Sequence, residues 1–216
     1  MNRIVYLIGW ILCCIYTRLY HRYRVLGKEH IPPAGRGVLI ASNHASYVDP
    51  IVVGLAFYRR IWYLARRTLY ERSWFANWVL RSVNAIPISR ERLDLATLHL
   101  VQDICARGEQ VVIFPEGTRS PDGNLQPGHA GVGLFADKIG ADIVPVYVHG
   151  TFDAFSRHHT WPRPVRITVI FGPVLPLSAY ANMPRGRERY QAIADDIMRT
   201  IAALRTQLMN SLQNGT

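Results

Sequence analysis

The chain has 216 residues, enough for one domain with a substantial core. Hydrophobic residues make up 49% and charged residues only 19%, and the formal charge is +10 with Lys28 and Lys138 as the only lysines. This arginine-rich balance suits anionic partners such as phospholipid surfaces, phosphorylated substrates or acidic carriers. The cysteines, Cys13, Cys14 and Cys105, exclude a disulfide framework and a cysteine metal site and fit a reducing compartment.

Residues 4 to 17 carry no charge and are flanked by Arg3 and by Arg18, His21, Arg22 and Arg24. A spanning helix needs roughly 20 apolar residues, so this run is short. Trp10, Tyr6, Tyr16 and Tyr20 beside the arginines fit a helix lying in a membrane interface. No small-residue cleavage site follows, which argues against a signal peptide. Residues 1–24 are therefore expected to be a membrane-associated helix on the cytoplasmic face of the cell membrane, and residues 25–216 a separate folded domain.

Val25 to Gly37 reads as an irregular entry segment, broken at Leu26-Gly27 and Ile31-Pro32-Pro33. A buried strand follows at 38–42, then a turn carrying His44, then a helix near 50–58 with Asp49 as its N-cap and Pro50 as its first residue. Ile61 to Ala65 is a second strand, ending at Arg66-Arg67. Residues 71–82 look helical, with Trp74, Phe75, Trp78 and Val79 as core or membrane-contact side chains in preference to a dedicated acyl-chain pocket. Ala85 to Ile88 is a short strand with Arg90 just past its end. A helix over 91–107 presents Leu93, Thr97, Leu100, Val101 and Ile104, and Gly108 ends it.

The strand at 110–114 leads into a loop through Glu116 and Arg119, and Pro121 to Asn124 is a turn. A helix is expected over 130–139 and a strand over 143–148. Ser156 to Pro164 is a loop in which His158-His159 lacks companion carboxylates or cysteines at ligand spacing, so no metal site is expected. Val165 to Phe171 is the last strand. Over 186–212, Tyr190, Ile193, Ala194, Ile197, Ile201, Leu204, Leu208 and Leu212 recur at threes and fours, the signature of an amphipathic helix. Strands alternating with helices imply an α/β fold, a single domain with a largely parallel sheet flanked by helices.

Two stretches carry the chemistry. In Asn43-His44-Ala45-Ser46-Tyr47-Val48-Asp49 a histidine and an aspartate stand five apart at the carboxyl end of a strand, where open α/β sheets place ligands. A neutral imidazole there can take a proton from a hydroxyl, and a carboxylate on its other nitrogen fixes the tautomer. The second stretch, Phe114-Pro115-Glu116-Gly117-Thr118-Arg119, has the same strand-then-loop setting. In a parallel sheet the His44 turn, Arg90 and the Glu116–Arg119 loop share one edge. No Gly-x-Ser-x-Gly elbow appears, so an acyl-enzyme is not indicated.

This pair of blocks, in this order, resembles the glycerolipid acyltransferase family over about residues 24 to 175. Two weaker blocks also match, Ala85 to Arg90 and Ile143 to Tyr147. The family pattern differs at Asn84, where Gly often opens the second block, and at Gly128-His129, where Phe-Lys is common. The resemblance implies direct acyl transfer from an acyl thioester, acyl-CoA or acyl-ACP as co-substrate with no other cofactor, to the free hydroxyl of a lysophospholipid. It makes 1-acyl-sn-glycerol-3-phosphate the first-choice acceptor and another lysophospholipid or a lyso-aminolipid the alternative. It casts His44 as base and Asp49 as its orienting partner. It also has Gly117, Thr118 and Arg119 bind the acceptor's glycerol phosphate with help from Arg90, while Glu116 shapes the site; a local ion pair between Glu116 and Arg119 is the rival role. A basic membrane-surface protein without catalysis is the competing class. Nucleic acid is not an expected partner, because the arginines are scattered along the chain rather than clustered with aromatics on one face.

Overall fold

The computed structural model describes residues 3–57, 61–71, 73–88 and 95–214. Helix α1 (Arg3–Tyr20) precedes strand β1 (Arg24–Leu26) and the central strand β2 (Val38–Ser42). Next come α2 (Asp49–Leu55), β3 (Trp62–Arg66), α3 (Arg67–Tyr70), α4 (Trp74–Ser82) and β4 (Ala85–Ile88). Then follow α5 (Leu95–Ala106), β5 (Gln110–Ile113), α6 (Ala130–Ile139) and β6 (Ile143–His149). The chain closes with α7 (Thr151–Phe155), β7 (Thr168–Phe171) and the long α8 (Arg187–Asn214).

Among the described residues the strands form one seven-stranded sheet in the order β1-β7-β6-β2-β5-β3-β4. All pairings are parallel except β6 with β7, which is antiparallel. The largely parallel α/β architecture follows from the strand–helix alternation, since parallel neighbours need crossovers.

Strand β2 shows why the sheet lies at the centre. All five of its residues are buried, and they alternate between two cores. Leu39 and Ala41 face one side, with Val101 and Ile104 of α5, Phe135 of α6 and Ile193, Ile197 and Ile201 of α8. Val38 and Ile40 face the other, with Val52 and Val53 of α2, Phe57 and Phe171. A strand covered on both faces reads as a continuous apolar run, which is how 38–42 reads. The apolar stripe expected on α8 is its buried face from Ile193 to Leu208. It lies close against α6: a Cβ on Gly133 would stand 1.9 Å from the Tyr190 carbonyl oxygen.

Several elements depart from the sequence reading. Strand β1 straddles the boundary between the expected N-terminal helix and the stretch read as irregular, and pairs with β7 through Arg24↔Thr168 to Leu26↔Ile170. Three residues carry too little periodicity to announce a strand; only the partner defines it. The expected strand from Val165 begins at Thr168, because Val165 and Ile167 instead receive the end of α1. The Val165 carbonyl accepts from His21 Nδ1, and Ile167 N–H donates to the His21 carbonyl. The expected helix at 71–82 is α4, which starts at Trp74, and a separate short helix, α3, precedes that stretch. On α5 the inward residues are Thr97, Leu98, Val101 and Ile104, whereas Leu100 is exposed; Leu93 lies outside the described residues. Asp49 is the first residue of α2, and Val48 occupies the cap position without a side-chain cap.

Helix α1 is anchored most firmly at its carboxyl end. Thr17 and His21 are buried, Tyr20 Oη donates to the Pro162 carbonyl, and Tyr23 Oη to the Val52 carbonyl. Its outer face stays apolar and exposed, with Leu12 at 61% and Leu19 at 80%. Among the described residues no helix is long and apolar enough to cross a membrane.

Candidate active site

The site is built where β2 and β5 end side by side. Their parallel pairing runs from Val38↔Gln110 to Ala41↔Ile113, so the turn after β2 and the loop after β5 leave the sheet at the same height. His44 and Glu116 therefore meet although 72 residues separate them.

Asp49 turns back from the start of α2 into the preceding turn. Its Oδ2 accepts from Ala45 N–H at 2.7 Å, from Ser46 N–H at 2.6 Å and from His44 Nδ1 at 2.8 Å. The sequence reading assigned this carboxylate to capping, but Asp49 stands one residue past the cap position and its Oδ2 serves the preceding turn instead. Because the carboxylate accepts, Nδ1 carries the proton and Nε2 is the basic nitrogen. The imidazole stacks on Phe114 with centroids 4.1 Å apart. Ring orientation is thus fixed by a hydrogen bond at one nitrogen and an aromatic face.

Asn43 has a role that the sequence did not disclose. Its side-chain amide donates to the Val148 carbonyl at 3.0 Å and its oxygen accepts from Val148 N–H at 2.7 Å. Asn43 thereby continues the β2–β6 ladder beyond the end of β2 and pins the turn in front of His44. Asn43 opens the block that carries His44 and Asp49, but nothing in that block names a partner 105 residues away.

Glu116 is buried, at 2% exposure. Its Oε1 accepts from His44 N–H and its Oε2 from Gln126 N–H, while the His44 carbonyl accepts from Ser120 N–H at 2.7 Å. The carboxylate is a brace between the two chemical loops. The expected rival, an ion pair with Arg119, is not formed: among the described residues both Glu116 oxygens take backbone amides. Burial pushes the Glu116 carboxyl up to about 7; the His44 and Gln126 amides oppose the rise and the nearby Asp49 charge adds to it.

Gly117 takes φ +62, and a Cβ there would stand 3.1 Å from the His129 ring. The left-handed turn exposes Thr118 and directs Arg119 back toward the His44 turn. The guanidinium carbon of Arg119 lies 3.6 Å from the Tyr47 ring centroid. Arg119 Nη1 is buried and has no hydrogen-bond partner among the described residues. Two further arginines hold the loop: Arg66 Nη2 donates to the Gly117 carbonyl at 3.0 Å, and Arg157 to the Arg119 carbonyl. Sequence reasoning placed Arg66 at a strand end and Arg157 in a loop without a function. Arg90 lies outside the described residues.

A cavity of about 1140 Å³ opens beside His44, Gly117, Thr118 and Arg119. It runs between α1, at Trp10 and Cys13, and the strand–helix layer at Tyr63, Leu64 and Trp78, and it is mostly apolar. A polar end with the His44 imidazole and a guanidinium thus adjoins a mostly apolar cavity. Among the described residues no group of histidines, cysteines and carboxylates could hold a metal. The paired His158 and His159 are spent on the Pro121 carbonyl and on Ser156.

Asn84 shows how one departure from the family pattern is absorbed. It adopts φ +57 and is buried, and its amide donates to the Ile61 carbonyl. The position needs a left-handed residue, and Asn is the commonest substitute for Gly there.

A histidine paired with a buried aspartate, beside a guanidinium and an apolar cavity, suits an enzyme that moves an acyl group onto a lipid. The family model described as Acyltransferase matches residues 22–149; the chain belongs to that acyltransferase family. It is 26% identical over 198 residues to a 1-acyl-sn-glycerol-3-phosphate acyltransferase of Chlamydomonas reinhardtii, covering 90% of this chain and 59% of that one. It is 27% identical over 186 residues to the Bacillus subtilis protein of the same description, covering 86% and 89%. The crystal structure of the 1-acyl-sn-glycerophosphate acyltransferase PlsC from Thermotoga maritima shares the fold, with a TM-score of 0.65, 23% identity and 85% and 74% of the two chains covered.

Proposed function

We propose that this chain transfers a fatty acyl group from an acyl thioester to the free hydroxyl of 1-acyl-sn-glycerol-3-phosphate, giving phosphatidic acid. The observation that carries the reading is the His44–Asp49 pair standing at the head of the apolar cavity, with Arg119 beside it. The names of the relatives support the same acceptor.

The acceptor's phosphate lies on Arg119, whose fork of donors suits a phosphate's oxygens. His44 Nε2 takes the hydroxyl proton as the oxygen attacks the thioester carbonyl carbon. Asp49 stabilises the imidazolium that forms, and the imidazolium returns the proton to the departing thiolate. Such base catalysis is worth roughly two to four decades in rate. The acyl chain extends along the cavity between α1 and β3. Either acyl-CoA or acyl-ACP supplies the thioester.

The exposed apolar face of α1 supports attachment to a membrane surface on its cytoplasmic side. Leu12 and Leu19 point outward from a helix that also lines the cavity at Trp10 and Cys13. A lipid substrate then reaches the cavity without crossing water.

The test is thiol release from palmitoyl-CoA with a panel of acceptors: lysophosphatidic acid, other lysophospholipids and a lyso-aminolipid. Lysophosphatidic acid is expected to give the highest kcat/KM, and His44→Ala to lower turnover by roughly two decades or more in a folded protein. Preference for an acceptor without a phosphomonoester would overturn the acceptor, and near-normal turnover in folded His44→Ala would overturn the base.

A further inference from the structure

We infer that Tyr47 is a positioning residue that holds the Arg119 guanidinium in the orientation that receives the acceptor's phosphate; the inference rests on the acceptor reading above. Tyr47 stands inside the interval between His44 and Asp49, which sequence reading treats as spacing. The structure gives that interval a use. Arg119 Cζ sits 3.6 Å above the Tyr47 ring centroid, well inside the range of a cation–π contact.

The stack suits the chemistry of the guanidinium. Its donors lie in the plane of the group, so a ring laid on one face leaves every N–H available while restricting tilt and rotation. Among the described residues Arg119 has no carboxylate partner, and its Nη1 is buried without any hydrogen bond. An aromatic face is a neutral brace: it orients the cation without cancelling the charge that a phosphate must meet. A carboxylate in the same place would compete with the acceptor.

The brace is itself supported. The Tyr47 ring lies 5.6 Å from the Phe155 ring at the end of α7. Ser46 Oγ donates to the Phe155 carbonyl at 2.5 Å, fixing the backbone just before Tyr47. From the other side Arg157 donates to the Arg119 carbonyl, so the main chain of Arg119 is held as well. Base and phosphate ligand are therefore set by one segment. His44 is fixed by Asp49, and Arg119 is fixed by the residue two positions before Asp49. Registration of hydroxyl and phosphate on the same acceptor follows from that linkage.

The alternative role for Tyr47 is direct contact with a substrate, since it is 47% exposed and lines the cavity. A double-mutant cycle separates the two. Steady-state kinetics of Tyr47→Leu, Tyr47→Phe, Arg119→Ala and Arg119→Ala/Tyr47→Leu are measured with lysophosphatidic acid and palmitoyl-CoA, alongside thermal melts. Tyr47→Leu is expected to raise the KM for lysophosphatidic acid about three- to thirtyfold, with kcat and the palmitoyl-CoA KM within about twofold. Tyr47→Phe keeps the ring and should stay within about twofold of wild type. In the Arg119→Ala background Tyr47→Leu should add nothing.

A further rise in acceptor KM in that background would overturn the inference in favour of direct contact. Loss of Tm in Tyr47→Leu with both KM values raised together would overturn it in favour of a structural role. An unchanged acceptor KM in Tyr47→Leu, with a raised one in Arg119→Ala, would remove Tyr47 and leave the phosphate reading standing. An unchanged acceptor KM in Arg119→Ala would remove the phosphate reading itself.

Discussion

Replacing Asp49 separates its charge from its geometry, because one oxygen does all of the hydrogen bonding. Oδ2 accepts from two backbone amides and from His44 Nδ1, whereas Oδ1 is buried with no hydrogen-bond partner among the described residues. In Asp49→Asn the two amides dictate which way the side chain lies: its carbonyl takes the Oδ2 position, since an NH₂ there would face two N–H donors. The His44 proton then stays on Nδ1 and the tautomer is preserved. What is lost is the negative charge beside the imidazolium that forms during turnover. Two unit charges about 4 Å apart at an effective dielectric near 20 interact by about 4 kcal/mol. The Asn carbonyl dipole keeps part of this, so a loss of roughly 3 kcal/mol corresponds to about two decades in kcat. Asp49→Ala differs in kind. It strands the Ala45 and Ser46 N–H groups, and at about 1–3 kcal/mol each this should cost roughly 2–6 kcal/mol of stability. Thiol release from palmitoyl-CoA with lysophosphatidic acid, read together with urea melts, distinguishes the two. Asp49→Asn turning over within tenfold of wild type would refute the electrostatic role, and Asp49→Ala as stable as Asp49→Asn would refute the backbone role.

Arg119→Ala should raise the acceptor KM far more than the donor KM, and Arg119→Lys should recover only part of the loss because a point charge cannot reproduce a fork of donors; a raised donor KM alone would move this arginine to the carrier's phosphates. Burial raises the Glu116 pKa from 4.5 to about 7, so below pH 4.5 both folded and unfolded states hold the proton, and between pH 4.5 and 7 only the folded state keeps it. Wild type should therefore lose about 3 kcal/mol of stability relative to Glu116→Gln as pH rises through that window; parallel melting curves from pH 4.5 to 8 would contradict the shift. Leu12→Glu with Leu19→Glu, on the exposed face of α1, should move the protein off anionic vesicles in a sedimentation assay without lowering Tm. Retention on the vesicles would assign binding elsewhere, and a loss of Tm would mean that this face packs within the fold.

The His44–Asp49 pairing and the Glu116–Arg119 loop were legible because each is a local block of the sequence. His44 and Asp49 lie five apart and are joined by a hydrogen bond within one turn, and Glu116 to Arg119 follow a buried strand directly. The α/β class was legible for a similar reason: the continuous apolar run of Val38–Ser42 and the period-3.6 stripe of α8 are local patterns. Everything that depends on a distant partner was decided only by the tertiary structure. Asn43 finds Val148, Glu116 finds the amides of His44 and Gln126, and Tyr47 finds Arg119. The three residues of β1 are a strand only because β7 lies beside them. Asp49 was expected to cap α2, and its carboxylate was instead claimed by three donors in the preceding turn. A sequence fixes which groups a chain carries and how they repeat. It does not fix which buried donor finds which acceptor, because that pairing is set by the register of strands that close against one another from far along the chain.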